Sequence, residues 1–442
     1  MLSPFFICYN HIGDLMKTRI NVIGAGLAGV EATWYLINHG YEVNLYEQRP
    51  IHNTGAHHSA DFAELVCSNS LKSKKLDNAC GLLKEEMRHM DSLTMKVAKD
   101  CEVPSGNVLS VDRTLFASKI TQIIKQSPKV HFINEEVNKI PDGITIVATG
   151  PLTSDSLIKE LENIIGEKSF SFFDACAPIV KKESIDFTKA YYKSRYEQGD
   201  NSYINCPFNK EEYYKFYNEL INAELCDLHD FDTKYFEGCM PIEVLAKRGE
   251  QTLRYGPMKP MGLGKTKEDR PYAVIQLRQD DVSASLYNIV GFQTNLTYKE
   301  QKRVFSLIPG LENVEFVRYG LMHRNSYICA PKYLNENLSL KNMPNVFIAG
   351  QLTGVEGYAE SAACGIVAGV FARLAIENKL VMSVPKETIL GSLLNYLRIC
   401  SPSHFSPMNA NYGIMQSISK DREEIANTSL EAIEKWWCKV NE

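Results

Sequence analysis

Two cysteines set far apart carry the chemistry this chain offers. Cys67 lies in Phe62-Ala63-Glu64-Leu65-Val66-Cys67-Ser68-Asn69-Ser70, and Cys239 lies in Phe236-Glu237-Gly238-Cys239-Met240-Pro241-Ile242-Glu243. A thiolate is a strong nucleophile and a good leaving group, so a pair of thiols beside a redox cofactor points to covalent work on a substrate. The chain has 12 cysteines and no C-x-x-C, which argues against a zinc site or a dithiol reductase and leaves most of the others as core residues.

The elements that must position these thiols begin with a nucleotide site. Arg19 to Ile23 is an apolar run that reads as a buried strand. Gly24-Ala25-Gly26-Leu27-Ala28-Gly29 follows at once, and Val30 to His39 reads as a helix ended by Gly40. Glu42 to Tyr46 is a second strand with Glu47 at its end, roughly 20 residues from the first glycine, as a ribose-binding acid requires. In this pattern Gly24 permits the tight turn, Gly26 lets the backbone approach a pyrophosphate, and Gly29 lets helix pack on strand. The helix N-terminus adds N–H donors and partial positive charge. Two later segments favour FAD over a free nicotinamide cofactor. Ile144 to Gly150 is an apolar strand ending in Ala-Thr-Gly. Asn345 to Gly350 is another, followed by a glycine-rich turn, Tyr358 and an alanine-rich helix over 360–375. There is no second G-x-G-x-x-G.

The fold expected is α/β: a Rossmann-like FAD-binding domain of the glutathione-reductase kind, interrupted by an inserted α+β domain. The boundaries read as 1–16 for a disordered or non-native tail, with Met16 the natural start; 17–165 for the first part of the FAD domain; 166–329 for the insertion; and 330–442 for the second part with C-terminal helices, the stretch 386–437 being mostly helical. Aromatic and charged residues crowd the insertion, as in Glu211-Glu212-Tyr213-Tyr214-Lys215.

The 442 residues carry a net charge of −5 and 44% hydrophobic residues, which suits a globular protein of two or three domains. No apolar run of the ~18 residues that span a bilayer is apparent, and the first residues lack a basic start, so no membrane role and a cytoplasmic location with reduced thiols are expected. A basic island runs from Lys247 to Arg278, and its phosphate-tracking reading competes with that of an ordinary solvated loop. Gly264-Lys265-Thr266 ends like a phosphate loop but has Lys259 where the first glycine belongs.

Several motifs in order resemble one family. They are the cysteine segments above, Val111-Asp112-Arg113, Ala148-Thr149-Gly150-Pro151, Thr252-Leu253-Arg254-Tyr255-Gly256-Pro257-Met258-Lys259-Pro260, Gln276-Leu277-Arg278-Gln279-Asp280, Tyr319-Gly320-Leu321-Met322-His323-Arg324-Asn325, and Gly350-Gln351-Leu352-Thr353-Gly354-Val355-Glu356-Gly357-Tyr358. Together these resemble TrmFO, the folate- and FAD-dependent tRNA (uracil-5-)-methyltransferases, with Cys176 standing where alanine is usual. The resemblance implies transfer of a one-carbon unit from 5,10-methylenetetrahydrofolate through reduced FAD to C5 of a uridine, with NADPH or NADH as reductant. It assigns Cys239 to addition at C6, and Cys67 to removal of the C5 proton or protection of the flavin. It implies cofactor contacts at Gly24, Ala25, Gly26, Leu27, Ala28, Gly29, Glu47, Gly350 and Tyr358, the last by ring stacking. RNA or folate contacts are expected at Arg254, Lys259, His323 and Arg324, with His57 and His58 near the flavin and no metal. The favoured substrate is the T-loop uridine of tRNA. A uridine of large-subunit rRNA, a small molecule oxidised by a flavin enzyme, and a non-catalytic RNA-binding flavoprotein remain open, and the family's larger carboxymethylaminomethyl-installing relative needs a C-terminal region this chain lacks.

Overall fold

In the computed structural model, residues 19–168, 170–197, 202–226, 240–266, 268–416 and 419–442 are described, without the side chains of 170–175, 323 and 324. The expected tail at 1–16 and Cys239 itself therefore lie outside the described residues, as do the side chains of His323 and Arg324.

A six-stranded sheet forms the frame. Its order is Ser339–Leu340, Met343–Ile348, Thr145–Val147, Ile20–Ile23, Val43–Tyr46 and Val130–Ile133. All pairs are parallel except the first. Val22 faces Leu45 on one side and Ile146 on the other, and Ile146 faces Phe347. These β-branched and large apolar residues are fully buried, as a central strand covered on both faces requires. The strand that completes the sheet thus comes some 200 residues after its neighbour Thr145–Val147.

Helix Leu27–Asn38 leaves the first strand and packs against helix Tyr358–Ile376. Small residues let the two backbones approach. A Cβ on Gly365 would lie 2.2 Å from the carbonyl oxygen of Ala28, and one on Gly369 would lie 3.2 Å from that of Ala32. The 19 residues of Tyr358–Ile376 are long and apolar enough to cross a bilayer, which corrects the expectation that no such segment exists; 83% of the apolar window is buried inside the protein, as in a core helix.

A second core has its own sheet, antiparallel throughout, in the order Tyr191–Tyr192, Ile204–Phe208, Ala273–Gln279, Leu286–Ile289, Ile179–Lys181 and Phe316–Arg318. Helices Lys210–Ile221 and Tyr298–Phe305 cover it. The crowded aromatics are this core: Tyr213, Phe216, Phe292 and Phe305 are fully buried, and their rings meet at centroid separations from 5.7 to 6.1 Å along Phe216–Phe292–Phe305. The two-stranded ribbon Phe170–Ala175 with Met322–Tyr327 carries the chain into and out of this part. In the C-terminal stretch, helices Ile389–Ile399 and Arg422–Asn441 make up more than half of 386–437, with two short 3-10 turns among the described residues between them.

Candidate active site

The glycine turn is built as the spacing demands. Gly24 has φ +96°, and a Cβ there would meet the carbonyl oxygen of Ala148 at 2.7 Å. A Cβ on Gly29 would meet the carbonyl oxygen of Gly24 at 1.8 Å, so this position fixes helix against turn. A Cβ on Gly26 would meet nothing within 4 Å. The protein does not need glycine there for its own packing; the space above it is a cradle for a ligand. Gly26 lies where two cavities meet, one of about 60 Å³ reaching Glu47 and one of about 410 Å³ reaching Cys67.

Glu47 is buried, and its carboxylate is already engaged. It accepts from the backbone N–H of Ala25 (3.0 Å) and of Arg49 (3.0 Å) and from the Arg49 guanidinium (3.0 Å). Burial opposes its ionisation, but the Arg49 side chain and these N–H donors outweigh burial and hold the carboxyl below the usual range. Glu47 therefore braces the turn as well as facing the cavity.

The larger cavity gathers several of the expected residues. Gly26, Leu27 and Ala28 form its floor, Gly350 and Tyr358 one wall, and Cys67 and Ser68 another. The half-buried Cys67 is presented by a loop that has almost no regular structure of its own and is held from four sides. The Tyr358 hydroxyl accepts the N–H groups of Cys67 (2.7 Å) and Ser68 (3.2 Å). The Asn69 side-chain amide donates to the carbonyls of Val111 (3.0 Å) and Gln279 (2.9 Å). Arg278 donates to Asn69 Oδ1 (3.1 Å) and Ser68 Oγ (2.7 Å). Arg113 donates to the carbonyl of Leu65 (2.9 Å) while forking onto Asp280 at 2.9 and 2.7 Å. Asn69, Arg113, Arg278 and Asp280 thus hold the loop that carries the thiol. Reading for nucleophiles passed over them, although all four sit inside motifs that were legible as shared segments.

Other expectations are corrected or redistributed. Arg278 belongs to the cavity and is 8% exposed, so it is no part of a surface basic island. Arg254 lies over the Tyr272 ring at 3.7 Å and donates to the Tyr272 carbonyl (2.8 Å) and to Gln251, so it holds its own turn together. Neither Arg254 nor Lys259 lines the cavity; the Lys259 carbonyl accepts from Arg195 (3.0 Å). His57 lines both cavities, its Nδ1 2.6 Å from Thr54 Oγ1, whereas His58 uses its backbone N–H on Glu64 (2.9 Å). The described chain resumes after Cys239 at Met240, and the N–H of Ile242 donates to the carbonyl of Gln293 (2.7 Å), a residue of the cavity wall. Among the described residues there is no cluster of side chains able to hold a metal ion.

A buried carboxylate in the cavity wall is only half satisfied. Glu360 sits fully buried in the cavity wall; its Oε1 accepts from Lys72 (2.9 Å) and from the N–H of Ala410 (3.1 Å), while Oε2 has no hydrogen bond. An unsatisfied buried carboxylate oxygen costs about 1–3 kcal/mol or more. A ligand with N–H donors is the chemistry that satisfies it.

Comparisons place this architecture. The family described as Glucose inhibited division protein A matches residues 19–380. A Lactobacillus gasseri protein named methylenetetrahydrofolate–tRNA-(uracil-5-)-methyltransferase TrmFO is 54% identical over 406 residues, covering 91% of this chain and 93% of its own. Proteins of the same name from Acetivibrio thermocellus (54% over 425 residues, 95% and 98% covered) and Anoxybacillus flavithermus (52% over 431 residues, 96% and 100% covered) are equally similar. This chain belongs to the TrmFO family. Membership also accounts for the overall architecture. Two crystal forms of Aquifex aeolicus GidA share the fold at TM-scores of 0.70 and 0.71, with 17% and 16% identity; they match 97% and 96% of this chain and 74% and 76% of theirs. This chain and GidA thus share one α/β frame, and this chain spans about three quarters of the GidA length.

Proposed function

We propose that this chain is a methylenetetrahydrofolate–tRNA-(uracil-5-)-methyltransferase, as its TrmFO relatives are named. The observation that carries the reading is a single cavity that joins the glycine turn at Gly26 to the thiol of Cys67 and the phenol of Tyr358. FAD, when bound, supplies the electrons that turn a methylene into a methyl group.

The residues of the chain divide the rest of the work. The Gly24–Gly29 turn and the N-terminus of helix Leu27–Asn38 hold the pyrophosphate, and Glu47 takes the ribose. The Gly350 turn and the head of helix Tyr358–Ile376 hold the ring end. Uracil C5 is a poor nucleophile until something adds at C6. Cys239 is the thiol we assign to that addition: an S–C6 bond forms, electron density moves to C5 and onto the C4 oxygen, and C5 takes up the one-carbon unit. Cys67 we assign to removal of the C5 proton; as it goes, the carbon's bond to its carrier breaks, the hydride equivalent that a bound reduced flavin would supply completes the methyl group, and the S–C6 bond then breaks to release the thiolate of Cys239. Closing the cavity on a uridine requires that the base leave its stack. We assign the reductant to NADPH or NADH, the uridine to the T-loop of tRNA, and the location to the cytoplasm.

The deciding assay incubates the flavin-loaded protein with 5,10-methylenetetrahydrofolate, a nicotinamide reductant and unmodified tRNA or, separately, unmodified large-subunit rRNA. Mass spectrometry of the digested RNA should find 5-methyluridine in tRNA. Methylation of rRNA alone would overturn the substrate and leave the chemistry standing. Methylation of neither would return the chain to a flavin enzyme acting on small molecules.

A further inference from the structure

Arg278 is a buried cation that the assignments above leave without a task. It lies on strand Ala273–Gln279, and both of its side-chain acceptors, Asn69 Oδ1 and Ser68 Oγ, are neutral. A guanidinium taken out of water without an anion to face costs several kcal/mol.

Among the described residues, the other charged and titratable groups around Cys67 have partners of their own. From the helix starting at Arg113, that arginine is forked on Asp280. From the strand Ser70–Ser73 and the long helix, Lys72 is 2.9 Å from Glu360. From the preceding loop, Glu64 is 3.5 Å from Arg49 and accepts from His58 and Ser59, while His57 meets Thr54. Glu356 accepts from Gln351. Arg318 reaches the Ala56 carbonyl (3.1 Å) and the Cys176 sulfur (3.9 Å), and the Cys176 thiol donates to the carbonyl of Val66 (3.2 Å). Tyr203 donates to the Ser105 carbonyl, and Tyr358 accepts from Cys67 itself. Of the two basic side chains, lysine or arginine, among the described residues lining the cavity, Lys72 faces a carboxylate and Arg278 does not. Arg278 is anchored on the two residues that directly follow Cys67.

We propose that Arg278 is a positioning residue that holds the Cys67 sulfur as a thiolate, ready to accept the uracil C5 proton. The neighbouring positive charge stabilises the anion, and the hydrogen bonds to Ser68 and Asn69 keep the two groups in register. This rests on the reading of Cys67 as a reacting thiol. Burial disfavours the charge on Arg278; Tyr203 and the Asp280 carboxylate, which is forked on Arg113, act in the opposite sense, and Cys67 adds to them.

The test measures alkylation of Cys67 by iodoacetamide against pH in the flavin-loaded protein, following the Cys67 peptide alone by mass spectrometry. In the wild-type protein the midpoint should lie below the ~8.5 of an ordinary thiol. Arg278→Gln should raise it by about one unit, lowering the rate at neutral pH about tenfold, and Arg278→Lys should retain the low midpoint. A purely structural role would change the limiting rate at high pH and leave the midpoint unmoved. An unmoved midpoint in Arg278→Gln overturns the proposal, as does Arg278→Lys titrating like Arg278→Gln. A wild-type midpoint at or above ~8.5 also overturns it; that outcome is readable even if neither variant folds. Methylation of tRNA by a wild-type protein whose Cys67 titrates normally would sink this proposal and spare the function. Lack of methylation with a depressed Cys67 midpoint that depends on Arg278 would do the reverse.

Discussion

The hydroxyl of Tyr358 lies 2.7 Å from the backbone nitrogen of Cys67 and accepts its N–H, although 291 residues separate them in the chain. The ring that flanks the late glycine turn is therefore also the support of the thiol loop. Tyr358→Phe leaves the N–H groups of Cys67 and Ser68 without this acceptor, at about 1–3 kcal/mol for a buried donor. The variant should keep its flavin and lose methyl transfer roughly tenfold or more; unchanged turnover would show that the loop is held well enough by Asn69, Arg113 and Arg278.

The glycine turn separates ligand binding from folding. Gly26→Val introduces a side chain into space the protein leaves open. It should fold with a normal circular dichroism spectrum and purify without flavin colour. Gly29→Val drives a side chain into the carbonyl of Gly24 and should fail to fold. A yellow Gly26→Val protein would remove this turn from the cofactor site.

The two thiols should part company on an RNA carrying 5-fluorouracil, which traps a C6 adduct. Cys239→Ala should form no covalent complex. Cys67→Ala should bind FAD and still form the adduct, and on RNA with ordinary uridine it should yield no 5-methyluridine. Methylation by Cys239→Ala at the wild-type rate would show that the C6 nucleophile is another group.

Salt dependence tests the RNA surface. Lys259→Ala should flatten the slope of log K against log salt by about one phosphate contact. Arg254→Ala should instead lower the melting temperature, because the guanidinium stacks on Tyr272 and ties Gln251 to the Tyr272 carbonyl. Equal salt slopes for wild type and Lys259→Ala would remove Lys259 from the interface.

Glu86 gives the fold a pH signature. It is fully buried and accepts from Ser429 and from the N–H groups of Ile389 (2.7 Å) and Leu390 (3.0 Å), joining three helices. Burial, outweighing these donors, pushes its carboxyl up to about 7. A carboxyl raised on folding stabilises the protein fully below its unfolded value and loses that contribution as pH rises through the folded one. Thermal stability should therefore decline between about pH 4.5 and 7, and Glu86→Gln should flatten the decline. A profile identical in both proteins would show that Glu86 titrates normally.

Local pattern determined much of this protein. The strand–glycine–helix start, the acid at the end of the second strand, and the late strand and helix were legible because each is specified by contiguous residues: apolar runs, glycines where no Cβ fits, and a helix that begins where they end. Cys67 was legible as a chemical residue for the same reason, its neighbours forming a recognisable segment. Tertiary structure decided what those residues touch. No spacing rule connects Arg278 to Ser68, Asn69 to Gln279 or Tyr358 to Cys67, because the contacts form only when the second sheet and helix Tyr358–Ile376 close over the thiol loop. Burial, too, is a property of the folded whole. It turned Arg278 from one of a run of basic residues into a cation facing a cavity, left an oxygen of Glu360 without a partner, and placed an apolar 19-residue helix in the protein core.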